Sequence, residues 1–312
     1  GRLSIKVSVF IASFFAVLCL ANALLTGNIV QVNSAAAASG KIPSLAVGCI
    51  FAVMMLIISF GGAKRISSFT VALIPFLSVV YILLSMLIIV KNAQVMPRVL
   101  TAIFSDAFNF SSAAGGVSGF CLNRAIRFGV TRGIFSNEAG CGTAPTAHAA
   151  ADVRSPHHQG CFGIFEVFVD TILLCSMTAF VILIAMDVGN MEGLDGIELS
   201  VGAYSLLAGK GAGIILSVSV ILFAFATVIC QSYYGLEALS FFTKSKTASR
   251  IYIIASAVVI VIGSVISAPL VWQLADLFVG VMTVINCICL VRRRNTVTAL
   301  YQQGHKKTPL QF

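Results

Sequence analysis

The stretch FSNEAGCGTAP, residues 135–145, places serine, asparagine, glutamate, two glycines and a proline between long apolar runs. Pro145 cannot donate a backbone hydrogen bond, and Gly140 and Gly142 weaken the same turn. A helix breaker at membrane depth is tolerated only beside a cavity or packed against protein. Secondary transporters use broken spans to expose polar groups to solutes near the bilayer midplane. The stretch therefore predicts a transport site, and a kinked, packed helix is the alternative.

The composition is that of an all-α polytopic membrane protein. Hydrophobic residues make up 58% of the chain and charged residues 10%, with a mean hydropathy of +1.00. These values lie far from the soluble globular average. The net charge of +9 collects at the ends of apolar runs, which favours membrane topology over a nucleic-acid partner. The nine cysteines lie almost entirely in apolar segments without CxxC pairs, so we expect small buried side chains rather than disulfides or metal ligands.

Apolar runs long enough to cross the bilayer recur along the chain, since a spanning helix needs about 20 residues. We predict a single transmembrane core over residues 1–291, followed by a basic tail over residues 292–312. The core contains eight predicted spans, of which the fourth is discontinuous: residues 5–34, 45–60, 69–90, 113–151, 160–186, 211–242, 251–266 and 270–291.

Charges in the connections predict the orientation of these spans. Basic connections alternate with acidic or neutral ones, and residues 187–198 contain four carboxylates. The positive-inside rule places that acidic connection outside and both termini in the cytoplasm, with the basic tail against an anionic leaflet. Arg124, Arg127 and Arg132 do not fit this pattern, and we expect them to line a vestibule or to pair with carboxylates. Glu138 is the carboxylate that we expect them to pair with.

Three stretches resemble a known family. They are RGIFSNEAGCGTAPTAHAAADVRSPHHQGCFGIFEVFVDT at residues 132–171, GNIVQVNS at 27–34 and LFAFATVICQSYYG at 222–235. Together they closely resemble the sodium:alanine/glycine symporters of bacteria, also called alanine or glycine:cation symporters. The resemblance implies a LeuT-like fold with two five-helix inverted repeats in the bacterial inner (plasma) membrane. It also implies that inward sodium movement drives uptake of small neutral amino acids.

The resemblance also implies that the chain corresponds to core helices three to ten of that fold. Interrupted spans in transporters come in pairs, and the sequence contains one. The family's first core helix, a glycine-rich broken span, has no counterpart here. We therefore expect an N-terminal truncation that leaves the sodium and substrate sites incomplete.

Polar residues in the break and on the first span are the predicted substrate contacts. Ser136 and Asn137 offer a hydroxyl and an amide beside freed carbonyls, and the resemblance supports both as substrate contacts. The resemblance also places Gln31 in the substrate pocket. Thr143 is expected to cap a second half-helix that runs to residue 151 and whose positive end favours an anion. We expect the face with Asn22, Thr26 and Asn33 to form hydrogen bonds between helices.

A polar stripe on the sixth span predicts part of a sodium site. Thr227, Gln231 and Tyr234 follow an i, i+4, i+7 pattern. Hard cations prefer oxygen ligands, and the resemblance makes Thr227 the sodium ligand. This helix departs from the family at two positions. Family members commonly have serine where this chain has Ala226 and tryptophan where it has Gln231. We expect Gln231 to contact the substrate in a larger and more polar pocket, so a bulkier or more polar amino acid is an alternative to alanine or glycine.

The remaining titratable residues have less specific patterns. Glu166 and Asp170 are four residues apart and would lie on the same face of a helix. Two carboxylates this close are not both ionised unless a cation lies nearby, so we expect that one is protonated or that a cation is bound. We expect a structural network with Arg154, and a proton relay is the alternative. Asp276 is expected to be a capped or paired carboxylate, and the histidines lack metal-site spacing.

The favoured function is therefore sodium-coupled symport of alanine or glycine by alternating access. Sodium acts as the coupling ion, no other cofactor is expected, and the oligomeric state is left open. A proton-coupled or sodium-independent permease on the same fold is the alternative, supported by Glu138, Glu166 and Asp170. A membrane enzyme with Glu138 and His148 as an acid/base pair is a third hypothesis, but no nucleophile motif accompanies that pair.

Overall fold

The computed structural model describes residues 5–108, 116–138, 140–153 and 155–307, and within these ranges the secondary structure is helical. No strand occurs in this part of the chain, in agreement with the predicted all-α class. The α-helices of the described residues are α1 Ile5–Ala21, α2 Asn28–Ala38, α3 Ser44–Ser59, α4 Gly62–Lys91, α5 Met96–Phe108, α6 Gly116–Asn137, α7 Ala144–His148, α8 Pro156–Val167, α9 Ser176–Val188, α10 Gly196–Ala208, α11 Lys210–Ser240, α12 Lys246–Gly263, α13 Ala268–Arg292 and α14 Arg294–Lys307.

Within the described residues, six helical stretches are long and apolar enough to cross a membrane. Two apolar helices, α3 and α10, are shorter. The helix α10 was not predicted as a separate run, because it has only 13 residues and follows the acidic connection directly. The six long stretches are Ile5–Ala38, Ser68–Lys91, Pro156–Val188, Lys210–Ser240, Lys246–Gly263 and Pro269–Arg292.

Two of the long helices contain a π-helical segment. Asn22–Gly27 joins α1 to α2, and Phe168–Cys175 joins α8 to α9. In a π-helix the hydrogen bond spans five residues rather than four, so residues five apart share a face. Each segment therefore rotates the helix that follows relative to a regular α-helix, and π-segments often occur at functional sites.

Helix α11 is the central element of the packing. Its Val228 is fully buried in a cluster with Val32 of α2, Met55 of α3 and Ile260 of α12. Its Leu216 belongs to a second cluster, formed with α4, α9 and α10. Since α11 packs on both sides, its rotation is fixed. This orientation brings Thr227 and Gln231 to the wall of a cavity.

The cysteines differ in part from the prediction. The eight whose side chains are described are free thiols, and Cys19 and Cys141 are buried as expected. Four others have exposed side chains on the surface of the isolated chain, so the prediction of burial is wrong for them. Their helices turn these small side chains outward rather than into the core. These four are Cys49, Cys175, Cys287 and Cys289.

The basic tail is helical over most of its length. Helix α14 packs against α8, and the rings of Tyr301 and His157 lie 5.2 Å apart. The tail is thus docked on the helical body. The orientation of the spans and the contact of the tail with a leaflet stay predictions.

Candidate functional site

The polypeptide is interrupted between α6 and α7. Three positions there have left-handed backbone: Glu138 with φ 53°, Gly140 with φ 88° and Gly142 with φ 85°. Glycine adopts this conformation without the Cβ clash that other residues suffer. Outside glycine, Glu138 alone has a positive φ among the residues that the structure describes. The chain therefore turns sharply here instead of continuing as a kinked helix.

The break is held by α1 and α13. Asn286 of α13 donates from Nδ2 to the carbonyl oxygen of Gly140 over 2.9 Å, which satisfies a carbonyl freed by the break. Thr283 donates from Oγ1 to the Cys141 sulfur over 3.3 Å. A Cβ on Gly142 would lie 2.7 Å from the Cζ atom of Phe15 on α1. Close packing from both sides thus fixes the turn.

A cavity of about 280 Å³ lies beside the break. Its walls come from the first long helix, the break, α11 and α13, and they combine amides, hydroxyls and one carboxylate with apolar side chains. Such a mixed lining is typical of sites for small molecules. The lining residues are Asn22, Gly27, Gln31, Phe135, Ser136, Glu138, Cys141, Thr143, Thr227, Gln231, Val279 and Met282.

The first π-segment decides which side chains of the first helix face the cavity. Asn22, Gly27 and Gln31 line it with spacings of five and then four residues, as a π-turn followed by an α-turn requires. The prediction that Asn22 belongs to an interhelical face is therefore wrong, because it assumed α-helical periodicity. Asn33 bonds to the connection between α12 and α13 rather than to a helix, donating to the Ile266 carbonyl over 2.8 Å.

Glu138 does not pair with an arginine as predicted. Its Oε2 accepts a 2.6 Å hydrogen bond from the Thr143 hydroxyl, and its Oε1 accepts one of 3.2 Å from Gln231 Nε2. The left-handed backbone at Glu138 turns its side chain away from the direction that a continued α6 would give it. The carboxylate consequently faces the cavity and α11.

Arg132 pairs instead with Asp276 of α13. The guanidinium and carboxylate meet at 3.2 Å through both pairs of atoms, and the guanidinium lies 4.0 Å from the Trp272 ring centroid. Phe135 contacts the same ring edge-on at 5.0 Å. The prediction of a paired carboxylate at Asp276 is confirmed. This ion pair ties the end of α6 to α13 beside the cavity.

Gln231 is almost fully buried, with 5% of its surface exposed. Its amide nitrogen donates to Glu138, while its Oε1 is buried and accepts no hydrogen bond from any described residue. Gly27 makes room for this side chain, since a Cβ there would lie 2.7 Å from Gln231 Cδ. A buried carbonyl oxygen without a donor carries a desolvation cost, which a bound donor would remove.

Thr143 does not cap the second half-helix as predicted. It occupies the N-cap position of α7, but its side chain makes no capping hydrogen bond because the hydroxyl donates to Glu138. Helix α7 ends at His148 rather than at residue 151. A single turn has little dipole, so the predicted anion-binding helix end is absent from this structure.

Thr227 lines the cavity from α11. Its hydroxyl donates to the Phe223 carbonyl over 2.9 Å, which leaves the oxygen lone pairs free for another ligand. Tyr234, the third member of the predicted stripe, does not contribute to the lining. The described residues contain no group of three or more histidines, cysteines and carboxylates arranged to hold a metal. Any cation here would depend on neutral oxygens and Glu138.

Ser136 and Asn137 connect the break to the second π-segment. Ser136 lines the cavity and donates to Asp170 Oδ2 over 3.2 Å. Asn137 donates from Nδ2 to the Thr171 hydroxyl and does not line the cavity. The structure thus brings Gln31, Ser136, Thr227 and Gln231 together and directs Asn137 elsewhere.

The two carboxylates on α8 and the second π-segment have separate partners. Glu166 lies 3.3 Å from His148 Nε2, whereas Asp170 accepts from Ser136 and Thr171. Arg154, their predicted partner, lies outside the described residues. Because His148 contacts Glu166 instead of Glu138, the acid/base pair of the enzyme hypothesis is wrong.

The apolar helices of the described residues are those of a multi-pass membrane protein, and they enclose a polar cavity at a broken helix. Residues 4–309 match the sodium:alanine symporter family, and the chain belongs to that family. The family is one of transporters, not of enzymes.

Three relatives illustrate the relationship. The probable sodium/glutamine symporter GlnT of Bacillus subtilis (strain 168) is 38% identical over 302 residues, covering 96% of this chain and 62% of the relative. The amino-acid carrier protein AlsT of the same organism is 35% identical, with coverages of 94% and 62%. The sodium/alanine symporter AgcS of Methanococcus maripaludis is 36% identical, with coverages of 85% and 58%. The chain thus spans less than two thirds of the length of these relatives.

Proposed function

We propose that the protein takes part in sodium-coupled symport of a small neutral amino acid, with alanine or glycine as the first candidates. The observation that carries this proposal is the cavity at the break, where Gln31, Ser136, Thr227 and Gln231 meet. Its volume of about 280 Å³ is ample for such a substrate. Membership of the sodium:alanine symporter family supports both the ion and the substrate class.

The cavity walls offer complementary groups for a zwitterion. The Gln31 amide can both donate and accept hydrogen bonds, and Ser136 supplies a hydroxyl. Gln231 supplies a carbonyl oxygen that accepts no hydrogen bond from a described residue. Asn137, next to Ser136, is proposed as a further substrate contact in a conformation in which its amide leaves Thr171. Thr227 is proposed as a sodium ligand, because its oxygen keeps free lone pairs at the cavity wall.

Transport would proceed by alternating access in a LeuT-like fold within a bacterial inner membrane, with both termini cytoplasmic. Sodium stabilises the outward-facing site, the substrate binds, and one group of helices rocks against the other. The Gln231–Glu138 hydrogen bond and the α6–α13 ion pair are contacts that such a movement would change.

A second candidate is a proton-coupled or sodium-independent permease on the same fold. The observation that favours it is the Glu138 carboxylate at the cavity wall, which forms no ion pair within the described part of the chain. Intramembrane carboxylates are the usual sites of proton relays. A larger polar substrate is also supported, since one relative is named as a probable sodium/glutamine symporter.

Uptake into proteoliposomes separates these candidates. Labelled alanine and glycine are offered with an inward sodium gradient, or with choline replacing sodium at equal pH and membrane potential. We expect concentrative uptake with sodium and only leak with choline. Equal uptake in both conditions, together with a response to an imposed proton gradient, would support the permease and refute sodium coupling.

A further inference from the structure

Glu138 is a carboxylate at a cavity wall of a membrane protein, and no basic side chain of the described residues forms an ion pair with it. Charged groups inside a membrane-spanning protein are costly and are usually paired. The ion pairs of the described residues lie elsewhere: Arg132 pairs with Asp276, Arg98 pairs with Asp187, and His148 lies beside Glu166. The partners of Glu138 are two neutral donors, the Thr143 hydroxyl and the Gln231 amide.

These two donors orient the carboxylate without neutralising it. Thr143 donates to Oε2 over 2.6 Å and Gln231 donates to Oε1 over 3.2 Å, so each oxygen can accept a further hydrogen bond. Gln231 is fixed in turn by burial against Gly27. The other atom of the same amide group, Gln231 Oε1, is buried and accepts no hydrogen bond from a described residue. Charged and neutral acceptor oxygens therefore lie at one wall.

We propose that Glu138 is the receptor for the α-ammonium group of the substrate, with Gln231 Oε1 as a second acceptor. An ammonium group has three donors and no acceptor, which matches a wall of acceptor oxygens. Its hydrogen bonds to a carboxylate are charge-assisted and so are among the strongest in proteins. This inference rests on the proposed function, because an amino acid is taken as the ligand.

The assignment gives Gln231 a positioning role toward Glu138 as well as a contact with the substrate. Its nitrogen holds the carboxylate, and its oxygen, which is buried beside Gly27, would accept from the ammonium group, so one side chain couples α11 to substrate binding. A substrate that lacks the ammonium group would leave both acceptors without a donor. The site would then select strongly against simple carboxylic acids.

The test compares binding of alanine and propionate, which share a carboxylate and a methyl-bearing carbon but differ in the ammonium group. Dissociation constants are measured calorimetrically on the purified protein at saturating sodium, for wild type, Glu138→Gln and Gln231→Leu. We expect Glu138→Gln to weaken alanine binding by at least about tenfold and to leave the weak propionate binding unchanged. Gln231→Leu should weaken alanine binding by about three- to tenfold.

Glu237→Gln is the matched control, because it neutralises an exposed carboxylate on the same helix as Gln231 but away from the cavity. It should bind alanine like wild type. If Glu138→Gln does not fold, alanine and propionate binding by Gln231→Leu tests the proposal. This variant keeps the Glu138 carboxylate and removes one of the two donors that orient it. Unchanged discrimination between alanine and propionate in the folded variants would overturn the proposal, as would a wild type that does not prefer alanine.

Two further outcomes separate this proposal from the proposed function. If Glu138→Gln changes only the sodium concentration for half-saturation and leaves alanine affinity intact, Glu138 serves the coupling ion and the ammonium assignment is overturned. If alanine binds with the expected discrimination but a sodium gradient drives no uptake, the proposed function fails and the ammonium receptor stands.

Discussion

Gln231 donates a hydrogen bond to Glu138 over 3.2 Å, and this contact joins α11 to the turn between α6 and α7. The two residues are 93 positions apart in the chain, and both line the cavity beside the break. Any movement of α11 against the break must therefore stretch or break this bond. The pair links the shape of the fold to the chemistry of the cavity.

Gly27→Ala should weaken substrate binding by displacing Gln231. The new Cβ would lie 2.7 Å from Gln231 Cδ, so the flexible side chain must move and lose its hydrogen bond to Glu138. Loss of one neutral-donor contact predicts a fall in alanine affinity of about three- to tenfold. Gly211→Ala on α11 is the control, since no atom lies within 4 Å of its added Cβ. Wild-type affinity in Gly27→Ala would contradict the predicted placement of Gln231.

Gly142→Ala should lower thermal stability more than Gly140→Ala. Both glycines have left-handed backbone, with φ of 85° and 88°, so each substitution costs about 1–2 kcal/mol of backbone strain. Only at Gly142 does the added Cβ also clash, at 2.7 Å from Phe15, whereas the nearest atoms at Gly140 are 3.7 Å away. Unfolding midpoints in one detergent measure the difference. Equal midpoints would show that Phe15 does not pack against the turn.

The Arg132–Asp276 ion pair should contribute measurable coupling energy. Its side chains are 33% and 23% exposed, and the guanidinium also stacks on Trp272. After allowance for solvent screening we expect about 1–2 kcal/mol from a double-mutant cycle with Arg132→Met and Asp276→Asn.

The Arg98–Asp187 pair is the reference for this cycle. Its atoms approach to 2.9 Å, but its side chains are 69% and 33% exposed, so we expect a coupling below about 1 kcal/mol. Chemical denaturation of the purified variants gives both values. A larger coupling for Arg98–Asp187 would indicate that Arg132 and Asp276 do not form the observed contact.

Thr227→Val should raise the sodium concentration needed for half-maximal uptake by about fivefold or more, because it removes a ligand oxygen while keeping the side-chain volume. Ser219→Ala is a matched control on the same helix. Both hydroxyls donate to the carbonyl four residues earlier, but Thr227 alone of the two lines the cavity. The same sodium dependence in Thr227→Val and wild type would exclude Thr227 as a sodium ligand.

The sequence was sufficient to locate the break, because glycine and proline act locally on the backbone. Gln31, Ser136, Thr227 and Gln231 were also predictable from their polar character on apolar helices and from the family resemblance. Their convergence on one cavity depends on helix packing, which the residue pattern alone does not specify.

The predictions that failed depended on backbone features without a clear local signal. Asn22 reaches the cavity because of a π-turn, whereas α-helical spacing assigned it to another face. Glu138 does not pair with the predicted arginines, because its left-handed backbone directs its side chain toward α11. Thr143 does not cap α7 because its hydroxyl donates to the Glu138 carboxylate. Each error arises where tertiary contacts override helical periodicity.

We propose that the cavity beside the break binds an amino acid whose uptake is driven by sodium. The most direct measurement is the KM for labelled alanine in proteoliposomes with an inward sodium gradient, for wild type, Gln31→Ala and the exposed α13 control Gln273→Ala. We expect sodium-driven uptake, a KM raised by about tenfold in Gln31→Ala, and a wild-type KM in Gln273→Ala. Alanine uptake that is indifferent to sodium, or an unchanged KM in Gln31→Ala, would contradict this proposal.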